Sequence, residues 1–185
     1  MNSDLSESVR QLNAAAGRLQ RRRDSDLHFL PRLPLLDEIL YDTTVYIDLG
    51  RSRFPKDLDE LLAQQNPWHS TVVESELVYL CGRLDPLHPG TATVIREIGA
   101  IVDHWPPTRI LTPDREIWRE AAILTGILSR LHRTNDEDRG RTMNDALIFL
   151  SALKHGCAVL SRNVRDFDLL MQLVPAGRAV FYHVN

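Results

Sequence analysis

Carboxylates in four well-separated segments of the sequence are the first candidates for chemistry. They are Asp42, Glu76, Asp145 and Asp166. Carboxylates that are held close together repel one another and raise each other's pKa unless a cation neutralises them. Hard divalent cations such as Mg²⁺ prefer oxygen ligands of this kind. A fold that gathers the four segments would therefore form a divalent-metal site.

The elements predicted from the sequence would place these segments at one edge of a parallel sheet. Short apolar strands are expected at residues 39–41, 68–71, 109–112, 157–161 and 179–184. Helices are expected at residues 58–65, 72–84, 91–102, 113–131, 142–155 and 167–173, with a polar loop over residues 132–141. Strands that alternate with helices favour an α/β fold with helices on both faces of the sheet. In such folds, functional residues lie beyond the carboxyl ends of the strands.

Each acidic residue also has a purely structural interpretation. Asp42 can bond to local backbone in the turn that ends its strand. Asp145 stands three residues after Thr142, where it can cap a helix and benefit from the helix dipole. Asp166 and Asp168 would open the last helix, a position that also favours acids. No single residue decides between the interpretations, so the argument rests on the set.

The helix after the second strand offers two glutamates. Glu74 stands three residues after Thr71, which is the spacing of a capping box. We therefore assign Glu74 to the helix end and keep Glu76 as the site residue.

The composition is that of a globular protein. The chain has 185 residues, of which 43% are hydrophobic and 25% charged, enough for one domain with its own core. The sequence has no apolar run long enough for a transmembrane helix and no secretory signal. Two distant cysteines, Cys81 and Cys157, lack metal-ligand spacing. We therefore expect a cytoplasmic protein without membrane association, in which Cys157 is a buried core thiol.

The formal net charge of −3 argues against a large non-specific DNA-binding protein, which is usually basic. It does not exclude a nuclease, because an acidic site itself lowers the net charge. Arginines cluster at residues 18–23, at Arg51 and Arg53 after the first acidic motif, and at Arg162 and Arg165 around the last. The histidines show no paired metal-ligand spacing, and the sequence has no glycine-rich phosphate loop.

Four motifs follow one another in the order expected of a PIN domain, and this order is the strongest signal in the sequence. They are Tyr41–Asp48 (YDTTVYID), Ser70–Leu77 (STVVESEL), Asn144–Ile148 (NDALI) and Leu160–Phe167 (LSRNVRDF). Residues 38–185 thus resemble the PIN domain, and most of all the VapC-type toxins of bacterial toxin–antitoxin pairs. The resemblance implies a central parallel sheet of about five strands flanked by helices, and an endoribonuclease that uses Mg²⁺ or Mn²⁺. It also implies an RNA substrate, a cognate antitoxin and a homodimer.

The resemblance assigns roles residue by residue. The residues expected to be catalytic are Asp42, Glu76, Asp145 and Asp166, and the expected metal ligands are these four and Asn163. The first three would hold the main ion, whereas Asp166 and Asn163 would hold a second ion or position the attacking water. Many relatives have Asp where this chain has Asn163, so the presence of a second ion is left open.

Hydroxyl and arginine side chains near the motifs are the candidate substrate contacts. Thr43 and Ser161 can hold the carboxylates or the scissile phosphate by hydrogen bonds. Arg51, Arg162 and Arg165 are candidate phosphate contacts, although a solvated surface position is the alternative for each.

The expected function is that of a metal-dependent endoribonuclease, the toxin of a type II toxin–antitoxin pair, that hydrolyses RNA phosphodiester bonds. The alternatives are a catalytically inactive PIN-fold binding module, which the neutral Asn163 favours, and a housekeeping RNA-processing nuclease. Single-stranded RNA loops are the expected target class, because their bases are the most accessible.

Residues 1–37 have no counterpart in the resemblance and are predicted to be an N-terminal extension of the nuclease domain, residues 38–185. An apolar stripe on a helix over residues 4–20 is formed by Leu5, Val9, Leu12, Ala16 and Leu19. An extended connector is expected at residues 30–34, where prolines disfavour a helix. Because an apolar stripe needs a cover, we hypothesise that this helix mediates self-association or antitoxin binding.

Overall fold

The computed structural model of the protein describes residues 5–15, 19–30, 38–132 and 136–184. Its strands are β1 (Ile39–Tyr41), β2 (His69–Ser70), β3 (Ile110–Leu111), β4 (Ala158–Ser161) and β5 (Ala179–Phe181). Its helices are α1 (Leu5–Ala15), α2 (Thr43–Gly50), α3 (Lys56–Leu62), α4 (Thr71–Arg83), α5 (Thr91–Asp103), α6 (Arg115–His132), α7 (Asp136–Lys154) and α8 (Val164–Leu173). Within these ranges, no helix combines the length and the apolar character needed to cross a membrane.

The strands form a three-stranded parallel sheet, β1–β4–β5, and a two-stranded parallel sheet, β2–β3, which an isolated bridge between Leu40 and Trp68 connects in the order β3–β2–β1–β4–β5. β1 pairs with β4, β4 with β5, and β2 with β3, all in parallel. Trp68 joins the two ladders, because its N–H donates to Ile39 O at 2.7 Å and its carbonyl accepts from the Tyr41 N–H at 3.2 Å. Helices α2 and α7 contact β4, α4 contacts β2, and α8 contacts β5. The predicted parallel sheet of about five strands flanked by helices is confirmed.

The central strands are the most buried part of the molecule. Every residue of β1, β4 and β5 is buried, which explains why these segments are nearly continuous apolar runs in the sequence. Cys157, directly before β4, is buried as predicted, and burial raises the pKa of its thiol to about 11. The predicted helices and strands agree with the structure to within a few residues, apart from the differences described next.

Helix α2 has no counterpart in the sequence prediction. The chain enters this helix directly after Asp42, whose carboxylate accepts from the Thr44 N–H and so caps the helix. The β-branched residues Thr43, Thr44 and Val45 follow the cap, and such residues have low helix propensity. The local sequence therefore hides a helix that the cap and the packing stabilise.

The polar loop predicted over residues 132–141 is wrong for most of its length. Helix α7 already begins at Asp136, and residues 133–135 lie outside the described part of the chain. Arg139 and Arg141 are exposed on the first turns of α7. The polar composition that predicted a loop therefore belongs to a solvent-facing stretch of helix. At the other end of the fold, β5 ends at Phe181 rather than at residue 184.

The N-terminal helix packs on its own chain. Helix α1 contacts α6 and α8, and Leu12 and Leu19 pack against the hydrophobic core. The apolar stripe is therefore covered at these two positions without a second chain. Ala16 and most of the predicted connector at residues 30–34 lie outside the described residues.

The segment after α1 is tied to the core by a buried charge. Asp168 on α8 has no solvent exposure and accepts from the backbone N–H of Arg22 at 2.7 Å and from its Nε at 2.6 Å. Gln172 also donates to Asp168 at 3.0 Å and to the carbonyl of Gln20 at 2.9 Å. Asp168 therefore anchors the extension instead of joining the acidic site.

The same segment also covers the edge of the sheet. The Leu30 N–H donates to Phe181 O and the Phe181 N–H donates to His28 O, both at 2.8 Å. Phe29, between them, is buried and stacks on His183 with ring centroids 4.4 Å apart. An uncovered edge strand is a template for pairing with other chains, so this segment protects β5.

We predict that Arg22→Ala destabilises the protein by about 2 kcal/mol, because it leaves the buried Asp168 carboxylate with fewer donors. We expect a smaller loss of stability than for a fully buried ion pair, because the Arg22 side chain is 40% exposed. The matched control is Arg21→Ala, whose ion pair with Asp24 is exposed at both partners and should contribute less than about 1 kcal/mol. Urea denaturation measures both changes, and equal losses would contradict the anchoring role.

Candidate active site

Asp42 is fixed at the junction of two neighbouring strands. It follows β1, is only 3% exposed, and accepts from the Ser161 hydroxyl at 2.6 Å and the Thr44 hydroxyl at 2.7 Å. Ser161 ends β4, the strand paired with β1. The hydrogen bonds join the carboxyl ends of both strands and hold one Asp42 oxygen, Oδ2, in place.

Glu76 is held at both oxygens by neutral donors. It lies in the second turn of α4, where its Oε2 accepts from the Thr43 hydroxyl and its Oε1 from Asn144 Nδ2 at 2.8 Å. Thr43 begins α2 and Asn144 belongs to α7. Three helices thus fix one carboxylate.

The helix cap proposed for Glu74 is wrong in its details. Ser70, not Thr71, caps α4, because the Ser70 hydroxyl accepts from the Val72 N–H at 3.2 Å. Thr71 instead donates to the carbonyl of Leu111. Glu74 stays in the first turn, as expected of a structural acid, and Glu76 faces the site.

Asp145 and Asp166 are bridged by the amide of Asn163. Asn163 Nδ2 lies 3.1 Å from Asp145 Oδ2 and 2.9 Å from Asp166 Oδ2. Asn163 also caps α8, since its Oδ1 accepts from the Asp166 N–H at 3.5 Å. Asp145 is only 6% exposed and stands nine residues after Asp136, the start of α7. The alternative that Asp145 caps a helix is therefore wrong.

The four carboxylates act on one another electrostatically. Burial raises the pKa of Asp42, and burial with the charge of Asp42 raises that of Glu76. The pKa of Asp145 lies well above its ordinary value, first because of burial and then because of the charges of Asp42, Asp166 and Glu76. Arg141 lowers the pKa of both Glu76 and Asp145. The structure therefore brings together all four acidic residues predicted from the sequence.

The donor set suits a hard divalent cation. Its members are carboxylate, amide and hydroxyl groups that supply oxygen atoms, which Mg²⁺ and Mn²⁺ prefer to nitrogen or sulfur. In the described part of the chain, no three His, Cys, Asp or Glu side chains already surround a common metal position. The carboxylates are spaced instead by hydrogen bonds to Thr43, Asn144 and Asn163.

Arg162 is bound to a buried acid that the sequence analysis left without a role. Asp48 on α2 is fully buried and accepts from Arg162 Nε at 2.6 Å and from the Tyr182 hydroxyl at 3.0 Å. Arg53 lies 3.8 Å from the same carboxylate. The Arg162 guanidinium is therefore engaged by Asp48, while its backbone N–H donates to the Thr44 hydroxyl at 3.1 Å.

The other two predicted phosphate contacts are exposed arginines. Arg51 follows the C-terminal end of α2, about 12 Å along the helix from Thr43 at the site. Arg165 is in the first turn of α8, directly before Asp166. Of the two, only Arg165 is next to an acidic site residue in sequence.

The sequence analysis missed several residues that the structure places at or around the site. Asn144, Arg141, Thr44 and Asp48 were assigned no role, although three of them belong to the motifs. Asn144 stands directly before Asp145, and Thr44 is a cap-forming hydroxyl two residues after Asp42. These two positions in the sequence could have indicated a role for Asn144 and Thr44. Asp48 gave no such local signal, because its partner Arg162 lies 114 residues away.

Comparison with protein-family models decides the family. The model of the PIN domain matches residues 39–170, most of the chain. This chain belongs to the PIN-domain family. The matched range contains all four carboxylates of the site and the extension lies before it. No curated protein sequence matches this PIN-domain chain.

Solved structures similar to this PIN-domain protein have the same fold at low sequence identity. VapBC2 from Rickettsia felis, bound to a DNA fragment from their promoter, has 13% identity and a TM-score of 0.54, covering 79% of this chain and 99% of that chain. VapBC-1 from nontypeable Haemophilus influenzae has 19% identity and a TM-score of 0.53, and the match covers 79% of this chain and 96% of that chain. FitAcB from Neisseria gonorrhoeae has 19% identity and a TM-score of 0.52, and the match covers 77% of this chain and 96% of that chain.

We predict that Asp145→Asn raises the melting temperature of the metal-free protein at neutral pH. The folded-state pKa of Asp145 is raised, so wild-type stability falls as pH rises from the ordinary Asp value through the raised one. At a pH above the raised pKa, removing the charge should raise the melting temperature by about 3 °C for each kcal/mol of repulsion that is relieved. The gain should shrink as the pH approaches the ordinary Asp value.

The matched control is Asp114→Asn, which removes an exposed carboxylate whose pKa is lowered, chiefly by Lys154. This variant should lower the melting temperature slightly or leave it unchanged. Thermal unfolding in EDTA across a pH series measures both variants. A lower melting temperature for Asp145→Asn at neutral pH, in a protein that still folds, would contradict the repulsion described above.

Proposed function

We propose that this PIN-domain protein is a metal-dependent endoribonuclease and the toxin of a toxin–antitoxin pair. The observation that carries the proposal is the burial of Asp145 among the charges of Asp42, Glu76 and Asp166. A fold that only needed stability would gain from replacing one of these carboxylates by a neutral side chain. Their combined presence is typical of a site where negative charges serve a reaction.

The proposed metal ligands are the carboxylates themselves. Asp42, Glu76 and Asp145 would hold the main Mg²⁺ or Mn²⁺ ion, and Asp166 with Asn163 would hold a second ion or the attacking water. When bound, such an ion lowers the pKa of a water molecule and stabilises the charge that develops on the phosphate.

The surrounding hydroxyls and amides keep the carboxylates in fixed positions. Ser161 and Thr44 hold Asp42, whereas Thr43 holds Glu76. Such donors preorganise the charges before substrate binds, so less reorganisation is needed during the reaction. We therefore propose that Thr43 and Ser161 act through the carboxylates. The Asp48 contact favours the same indirect role for Arg162, which would fix the turn between β4 and α8.

The proposed substrate is single-stranded RNA. The carboxylates would repel a phosphodiester unless cations intervene, which is consistent with a site that takes up metal and substrate together. Single-stranded segments present their backbone and bases most openly to a protein surface. Arg51 and Arg165 are exposed and stay candidate phosphate contacts.

The proposed antitoxin partner would bind an apolar groove formed by helices that also carry site residues. Helices α2, α4 and α5 border a groove of about 540 Å³ whose apolar side chains include Ile47, Leu80 and Ile98. Helices α2 and α4 also carry Thr43 and Glu76, so an occupant of the groove would contact the elements that hold the carboxylates. The relatives in solved structures are VapBC assemblies, which supports a two-protein complex here. Native mass spectrometry of protein isolated from its own cells would show the mass of an antitoxin or of a homodimer.

We predict that the purified protein cleaves RNA with Mg²⁺ or Mn²⁺ and that EDTA abolishes the cleavage. Asp145→Asn should reduce the rate by at least about 100-fold, because it removes a proposed ligand whose loss should exceed that of an outer contact. Asp114→Asn, which changes an exposed carboxylate bonded to Lys154, should cleave like the wild type. Gel analysis of total RNA, with mapping of the new ends, measures the activity.

The controls separate the alternatives. No cleavage by folded wild-type protein with either metal would favour the inactive binding module. Cleavage that persists in EDTA or in Asp145→Asn would show that the metal and carboxylate roles are wrong. Cleavage without growth arrest in cells that lack an antitoxin would favour a housekeeping nuclease over a toxin.

A further inference from the structure

Arg141 is an exposed residue on α7, the helix that carries Asn144 and Asp145. Helix α7 is continuous through this region, so Arg141 precedes Asn144 by three residues and Asp145 by four. Residues with these spacings share one face of a helix, about one turn apart. Asn144 contacts Glu76, and Asp145 contacts Asn163. The face that carries Arg141 is therefore the face that carries the site.

Burial changes sharply along this face. Asp145 is buried, Asn144 is partly buried, and Arg141 is exposed. The charge of Arg141 nevertheless acts on both Glu76 and Asp145. Arg141 thus adds a positive charge, on an exposed residue, to the helix face that carries Asn144 and Asp145.

The arginines expected from the sequence to contact phosphate lie on other elements than α7. The Arg162 guanidinium is bound to buried Asp48. Arg51 borders the apolar groove beyond the far end of α2. Arg165 is exposed in the first turn of α8. Arg141 was not among the expected contacts, because the predicted polar loop concealed its helical register with Asp145.

We propose that Arg141 binds a backbone phosphate of single-stranded RNA adjacent to the phosphodiester that is cleaved. The proposal rests on the ribonuclease function proposed above. A guanidinium can donate two parallel hydrogen bonds to the oxygens of one phosphate, which fixes its orientation as well as its position. Arg141 is a substrate-binding residue in this scheme, and it takes no part in proton transfer or metal binding.

The role gives a pattern of effects that a structural role would not produce. Arg141→Gln should raise KM for a short RNA by about tenfold, the cost of losing one charge-assisted phosphate contact, with little change in kcat. The affinity for Mn²⁺, measured by calorimetry, should stay the same or increase, because a repelling cation is removed from the site. A purely structural ion pair would instead change the melting temperature and the metal affinity.

Binding of RNA without cleavage gives the direct test. Fluorescence anisotropy of a labelled single-stranded RNA with Mg²⁺, in an Asp145→Asn background that prevents cleavage, is repeated over a salt series and measures the number of phosphate contacts. Arg141→Gln should reduce the slope of log affinity against log salt by about 0.7. The matched control is Arg139→Gln, an exposed arginine on the same helix that is rotated by about 200° from Arg141. This control should keep the wild-type slope and KM.

The outcomes distinguish this proposal from the proposed function. Cleavage by the wild type together with unchanged KM and salt slope in Arg141→Gln would overturn the role of Arg141 alone. RNA binding that depends on Arg141, without any cleavage, would support the role and reject the nuclease. Equal losses in Arg139→Gln and Arg141→Gln would show a general charge effect and overturn the proposal.

A second variant keeps the proposal testable if Arg141→Gln does not fold. Arg141→Lys keeps the charge and loses only the two-pronged geometry, so it should raise KM by a smaller factor than a neutral residue. Wild-type KM and wild-type salt slope in Arg141→Lys would then overturn bidentate phosphate binding.

Discussion

The repulsion among buried and half-buried carboxylates is the constraint on which the rest of this structure depends. Asp145 is surrounded by the charges of Asp42, Glu76 and Asp166, and its pKa lies well above the ordinary value. Neutral donors hold the carboxylates in place despite this repulsion. Hydroxyls donate to Asp42, one amide donates to Glu76, and the Asn163 amide bridges the other two acids. Neutral donors fix the carboxylate oxygens without cancelling their charge, so the site keeps its attraction for a cation. A lysine in place of Asn163 would relieve the repulsion and remove that attraction at the same time.

The topology determines which carboxylates can meet. β1 and β4 are paired in the middle of the sheet, with Tyr41 opposite Leu160, so the next residues along each strand, Asp42 and Ser161, are also neighbours. The connections then return helices α4, α7 and α8 to the same edge. Because strand ends in a parallel sheet share one edge, a site assembled there can take residues from distant segments. The PIN-domain fold thus converts four short local motifs into one cluster.

The sequence allowed prediction of those parts of the fold and site that depend on local pattern. Buried strands appear in the sequence as apolar runs. Acidic residues that directly follow such runs are therefore predicted to lie at the carboxyl edge of the sheet. Long-range pairs had no such signal: nothing near Asp48 indicates Arg162, and nothing near Asp168 indicates Arg22. The two helices that were missed or shortened have different causes. In α2, the Asp42 cap and packing outweigh residue types that favour a strand. At the start of α7, the described residues are polar because the helix faces solvent there, and such a composition resembles that of a loop.

Helix α8 connects the N-terminal extension to the site. Its first turn presents Asn163 and Asp166 to Asp145, and its next turn presents Asp168 to Arg22 in the opposite, buried direction. A helix held at two faces has little freedom to rotate or slide, and a small rotation would move Asn163 out of hydrogen-bond distance of Asp145. The segment His28–Leu30 adds a second attachment, at the edge of β5 next to α8. In this protein the extension therefore contributes to the position of the fourth carboxylate, although none of its described residues, 5–15 and 19–30, contacts a carboxylate of the site.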